Sequence, residues 1–122
     1  MHHEVTDADT AIALGSGDVP VLATPRLVAW LEAATVQAGS HLVTTGETTV
    51  GTGIRLEHRR ATPLGGSVEV TATPPREAGR RLTFLVQAVD HSGQVVAAGE
   101  IDRVIVDRTR FLAAASGADG GP

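Results

Sequence analysis

The sequence predicts an α+β domain in which an antiparallel sheet wraps around one central helix. Three observations predict it. The stretch ATPRLVAWLEAATVQA, from Ala23 to Ala38, is apolar nearly all round and carries one carboxylate, Glu32. From Thr48 onward the pattern changes to period-two alternation, punctuated by glycine, proline and aspartate turns at hairpin spacing. A helix followed by strands joined by hairpins gives two layers, helix on sheet.

Taken in order, Met1 to Thr6 contains the pair His2 and His3, a weak metal signal on what reads as a frayed terminus. Thr10 to Leu14 is expected as a short first strand, and Gly15 to Pro20 as a turn. Thr24 is the expected N-cap of the helix, with Pro25 at its first position, where the missing N–H costs nothing. Leu27, Val28, Trp30, Leu31, Ala33, Ala34 and Val36 leave little polar surface, so the helix is expected to be enclosed on several sides and Glu32 at least partly buried. Gly39 and Ser40 stop it.

Thr48 to Arg60 is a strand whose second half sends Ile54, Leu56 and His58 to the helix face and Arg55, Glu57 and Arg59 away from it. After the turn Thr62–Gly66, the strand Ser67–Thr73 points Val68, Val70 and Ala72 inward. Pro74 and Pro75 end it, and Glu77 to Arg80 makes a hairpin connection to the strand Leu82–Val89, with Leu82, Phe84, Val86 and Ala88 on one face. A turn at Asp90–Gly93 leads to the longest strand, Val95–Asp107, where Gly99 marks a bulge or a close approach by the helix. Residues 1–112 form the domain, and the tail of small residues from Ala113 to Pro122 is expected to be disordered.

Composition narrows the function. In 122 residues there is no cysteine, which removes thiolate chemistry and disulfides. Net charge is −4 and aromatic residues make up 2%, which speaks against a nucleic-acid surface. No apolar run is long enough to span a membrane and no signal pattern opens the chain, so a soluble cytoplasmic protein is expected. A core so poor in aromatics is thin, and its sheet edges need covering. Self-association would do both.

A carboxylate in apolar surroundings must find donors or lose its charge, so Glu32 is a candidate for chemistry or else a salt-bridged or solvent-facing glutamate. His58 on an apolar face is a core histidine or a proton shuttle. The helix with Thr24-Pro25 at its start and Glu32 inside it, then VGTGIRLEHRRATPLG, GRRL and IDRVIVD, resembles the hot-dog thioesterases, most closely the fluoroacetyl-CoA thioesterase type. The resemblance covers roughly Val21 to Phe111.

It implies an antiparallel sheet around a central helix, two protomers pairing their sheets as a homodimer or a dimer of dimers, and active sites at the interface. It implies a catalytic threonine, glutamate and histidine at Thr24, Glu32 and His58, a glycine lining the acyl site at Gly51, and an arginine near the site at Arg103. The implied substrate is an acyl-CoA or acyl-carrier thioester, with no metal and no cofactor beyond the coenzyme A of the substrate. The fluoroacetyl-specific members carry a phenylalanine-bearing lid segment before the helix. Here that segment is GSGDVPVLA, so fluoroacetate selectivity is not implied.

Thioester hydrolysis suits these residues. A carboxylate attacks the carbonyl or activates water, an N–H beside a glycine receives the oxyanion, and an imidazole protonates the departing thiolate. The alternatives on the same fold are an acyl-thioester hydratase or dehydratase and a module that binds without turnover.

Overall fold

The computed structural model describes residues 1–117. Along the chain it has β1 (His2–Glu4), α1 (Ala11–Leu14), α2 (Thr24–Ala38), β2 (Glu47–His58), β3 (Ser67–Ala72), β4 (Arg76–Ala78), β5 (Arg81–Asp90), β6 (Val95–Asp107) and α3 (Arg108–Ala115). The sheet runs β1-β3-β5-β6-β2, with β4 beside β5, and all its pairings are antiparallel.

Alternation decides which side of the sheet meets α2. Val68 and Val70 of β3, Leu82, Phe84, Val86 and Ala88 of β5, and Ala97 and Ile101 of β6 are buried, together with Leu27 and Leu31 of the helix. Burying a leucine or phenylalanine side chain contributes roughly 1.5–3 kcal/mol, so this one interface supplies most of what holds helix to sheet. The backbone N–H of Gly39 bonds to the Thr35 carbonyl and ends the helix where the sequence places its stop.

Several expectations are corrected. The segment expected as a first strand, Thr10 to Leu14, is instead the single helical turn α1. Thr10 caps it, its hydroxyl accepting from the Ala13 N–H, and Thr10 keeps one bridge to Leu22. The N-terminal residues are not frayed, because β1 pairs with β3 and the His3 ring stacks on Trp30 at a centroid distance of 4.2 Å. Part of the expected hairpin connection is itself a strand, β4, with Gly79 making the turn at φ 63°. Ala113 to Ala115 close the helix α3 rather than opening a disordered tail, and residues 118–122 lie outside the described residues.

Two further corrections bear on the site. Within one chain α2 is covered on one side only, leaving Pro25, Ala29, Ala33 and Val36 exposed. Gly99 is crowded not by the helix but by β2, since a Cβ there would collide with the Arg55 carbonyl. That close approach draws β2 hard against β6, and among the described residues β2 has no strand on its other side.

Candidate active site

β2 carries most of the site, and its bulge decides how. The β2–β6 register shifts between Gly51 and Gly53: Gly51 lies opposite Arg103 and Ile54 opposite Ile101. Strict alternation would put Gly51 and Ile54 on opposite faces. The extra residue brings Thr49, Gly51, Ile54, Leu56 and His58 onto one face, the face toward α2.

At the Gly51 end, Glu32 extends from the middle of α2. Its Oε2 lies 3.3 Å from Nη1 of Arg103. A Cβ built on Gly51 would sit 2.6 Å from the same oxygen, so only glycine leaves the carboxylate where it is. The Arg103 side chain is 8% exposed and that of Glu32 36%, which makes the guanidinium a buried support and the carboxylate the group that a substrate can reach. Burial pushes the Arg103 guanidinium down from its ordinary value, and the charge and hydrogen bond of Glu32 pull it back up. Asp102, its chain neighbour, is taken by Arg55 on the other face at 2.9 Å. Arg103 is thereby left to Glu32.

At the other end of the face, Thr24 Oγ1 and His58 Nδ1 are 2.7 Å apart. Thr24 is free for this because it is not the N-cap. Ala23 takes that position, and Thr24 occupies the first helical residue. His58 Nε2 is buried and has no partner among the described residues. Burial pushes the His58 pKa below its ordinary 6.5, against an opposing backbone hydrogen bond at Arg60. The ring is therefore neutral near pH 7, with one nitrogen able to accept a proton and the other to donate one. When Thr24 donates to Nδ1, the ring proton sits on Nε2.

A cavity of about 310 Å³ opens beside this pair, lined among others by Ser16, Asp18, Val19, Val21 and Arg60. A larger groove of about 720 Å³ lies on the opposite face of the sheet, among Arg55, Glu57, Leu85 and Glu100, and touches none of the candidate residues.

Thr24, Glu32, His58, Gly51 and Arg103 thus fall into two groups, Thr24 with His58 and Glu32 with Gly51 and Arg103. Eight residues of α-helix rise ~12 Å, so a single chain holds its Thr24 and Glu32 apart along α2. Arg55, Arg59 and Arg80 are tied to Asp102, Glu57 and Glu47. His41 and His91 are exposed. Sequence reasoning missed Thr49, whose hydroxyl and carbonyl both bind Arg103. Its signal, a β-branched polar residue two positions before Gly51, becomes legible only once the inward face is known.

Comparisons with known proteins identify the fold and the family. The family model FlK, described as fluoroacetyl-CoA-specific thioesterase, matches residues 5–109. The fluoroacetyl-CoA thioesterase of Streptantibioticus cattleyicolor is 36% identical over 93 residues, which span 76% of this chain and 66% of that protein. The crystal structure of the fluoroacetyl-CoA thioesterase FlK superposes with a TM-score of 0.87 at 30% identity, covering 95% of this chain and 90% of that one. A thioesterase-superfamily protein of Thermus thermophilus shares the fold at 23% identity, with a TM-score of 0.86 over 95% of this chain and 85% of its own. The helix-on-sheet architecture is therefore the hot-dog fold, and a match over nearly the whole described chain places it, by sequence and by shape, in the FlK family of thioesterases.

Proposed function

We propose that this chain hydrolyses an acyl thioester of coenzyme A or of a carrier, with Glu32 as nucleophile or general base, His58 as acid/base and Thr24 as the group that orients His58. One observation carries the reading: in a chain of this family, a reachable carboxylate backed by a buried arginine and a Thr–His pair occupy the two ends of one strand face. Water, or Glu32 itself, adds to the thioester carbonyl. An N–H near Gly51 receives the oxyanion and the C–S bond breaks. The thiolate is protonated by His58 as the imidazolium, whose proton comes from the attacking water by way of Glu32 on the general-base route and from solvent on the nucleophilic route, so that the ring returns to its neutral form. If Glu32 attacks, water then cleaves the mixed anhydride and restores the carboxylate.

The separation of the two groups is the reason to propose a homodimer. Antiparallel pairing of the free β2 edges about a two-fold axis at Arg55 would set Gly51 of each copy opposite His58 of the other, because the bulge leaves each of them three register steps from Arg55. Glu32 of one protomer then faces the Thr24–His58 pair of its partner, and the interface covers Ile54, which is 43% exposed in one chain. We place the enzyme in the cytoplasm, possessing no metal or cofactor of its own. Among the described residues no helix is long and apolar enough to cross a membrane, and no group of three His, Cys, Asp or Glu side chains is placed to hold a metal.

The names of the relatives choose the first substrates, fluoroacetyl-CoA and acetyl-CoA, with longer and aryl acyl-CoAs beside them. Thiol release by wild type, lost by at least a hundredfold in Glu32→Ala and His58→Ala with the fold intact, is the expected result. Near-native turnover by either variant would remove that residue from the mechanism. Saturable binding with no thiol release would instead favour a binding module.

A further inference from the structure

We infer that Thr49 is a positioning residue of this site, acting on Glu32 through Arg103. The inference rests on the thioesterase reading above and adds to it a residue that neither the family resemblance nor the spacing of the candidates singles out.

A guanidinium is a planar fork, so two anchored nitrogens fix the direction of the third. Arg103 donates from Nε to Thr49 Oγ1 at 2.9 Å and from Nη2 to the Thr49 carbonyl at 3.0 Å. Those two bonds come from one residue and hold the plane of the fork. The remaining nitrogen, Nη1, is the one that faces Glu32 Oε2 at 3.3 Å. Gly51, two residues along the same strand face, leaves the room that the carboxylate needs. Thr49, Gly51 and Arg103 therefore form a cradle that holds the Glu32 carboxylate.

The threonine hydroxyl is the part that can be removed without touching the backbone. Without it, Nε loses its acceptor in a buried place and the fork is left with the Thr49 carbonyl as a single pivot. Rotation about that pivot moves Nη1 away from Glu32, and the carboxylate loses its fixed position. A group that must lie within a few tenths of an ångström of the reacting carbonyl loses rate when it wanders, whereas binding of the coenzyme portion is unaffected.

The test compares Thr49→Val, Thr49→Ala and Thr49→Ser with wild type for thiol release from the acyl-CoA that wild type prefers, with folding checked by circular dichroism. Thr49→Ala removes the same oxygen with less bulk, should the valine disturb the strand. The expected result is a kcat about tenfold lower in both oxygen-free variants at a KM within about twofold of wild type, and recovery in Thr49→Ser. In an Arg103→Lys background, which has no fork to hold, Thr49→Val is expected to add almost nothing.

Wild-type kcat in folded Thr49→Val or Thr49→Ala would overturn the inference. So would no recovery in Thr49→Ser, or an undiminished effect in the lysine background, either of which marks a merely structural threonine. Absence of thiol release from wild type is a different failure, that of the thioesterase reading itself.

Discussion

Single atoms decide much of this site. Gly51 is glycine because the Glu32 carboxylate occupies the space of its missing Cβ, and Nη1 of Arg103 lies 3.5 Å from the same point. Gly51→Ala is expected to displace the carboxylate and reduce kcat/KM by at least tenfold, while the exposed strand position keeps the fold stable. Kinetics beside a thermal melt would check it, and an alanine variant with wild-type turnover would mean that the carboxylate does not work from where it lies. Thr24 makes a similar point. A threonine before a proline at a helix start reads as a cap, yet its hydroxyl bonds to a histidine 34 positions away.

Elements matter through their irregularities. The β2 bulge brings Gly51 onto the helix face, and the short β1 ties the N-terminal residues to α2 through the stack of His3 on Trp30, whose planes are 4° from parallel. His3 Nε2 is buried without a partner among the described residues. Burial first, then the chain's amino terminus and His2, push its pKa below 6.5, against the pull of Asp9 and Glu69. A folded-state pKa below the unfolded one favours the neutral ring in the fold. That contribution to stability is present above pH 6.5 and is lost as pH falls through the folded value. His58 acts with the same sign. Unfolding followed by the fluorescence of Trp30, the one tryptophan, should therefore show a lower denaturation midpoint at about pH 5.5 than at about pH 8. His3→Phe, which keeps a ring on Trp30, should reduce the difference. An unchanged slope in that variant would mean that His3 does not contribute.

For the whole molecule, the unpaired β2 edge and the exposed apolar stripe of α2 belong together. A 12-residue strand that among the described residues has one free side is a template for pairing, and Pro25, Ala29, Ala33 and Val36 lie on the helix face that this sheet leaves open. On the proposed dimer, Ile54 sits beside the two-fold axis. Ile54→Arg would bring two like charges together there and should give a monomer by sedimentation. Its hydrolysis should fall to background, because each Glu32 would lose the partner's Thr24–His58 pair. A monomeric variant that still turns over substrate would show the site to be complete within one chain.

How much was legible in the sequence follows from where each cause is located. Helix and strand periods are local, so α2, the inward sets of β3 and β5, and the stop at Gly39 follow from residue order. Glu32 and His58 stood out by their apolar surroundings, and the resemblance joined Thr24, Gly51 and Arg103 to them, with roles that are now a proposal. The first segment misled because Thr10-Ala-Ile-Ala-Leu14 carries apolar residues compatible with either period, and a threonine cap resolved it as a helical turn. The exposed side of α2 was invisible because an apolar composition does not tell burial within a chain from burial between chains.

The sequence by itself determined the fold class and the family and nominated the candidate side chains, because these depend on residue type and on spacing along the chain. Only the tertiary structure decided the rest. The bulge set which face Gly51 occupies, Ala23 took the cap and left Thr24 to His58, Thr49 anchored Arg103 beneath Glu32, and helix rise held the two halves of the site apart. Each depends on strand register or on contacts between residues far apart in the chain, which local pattern does not specify.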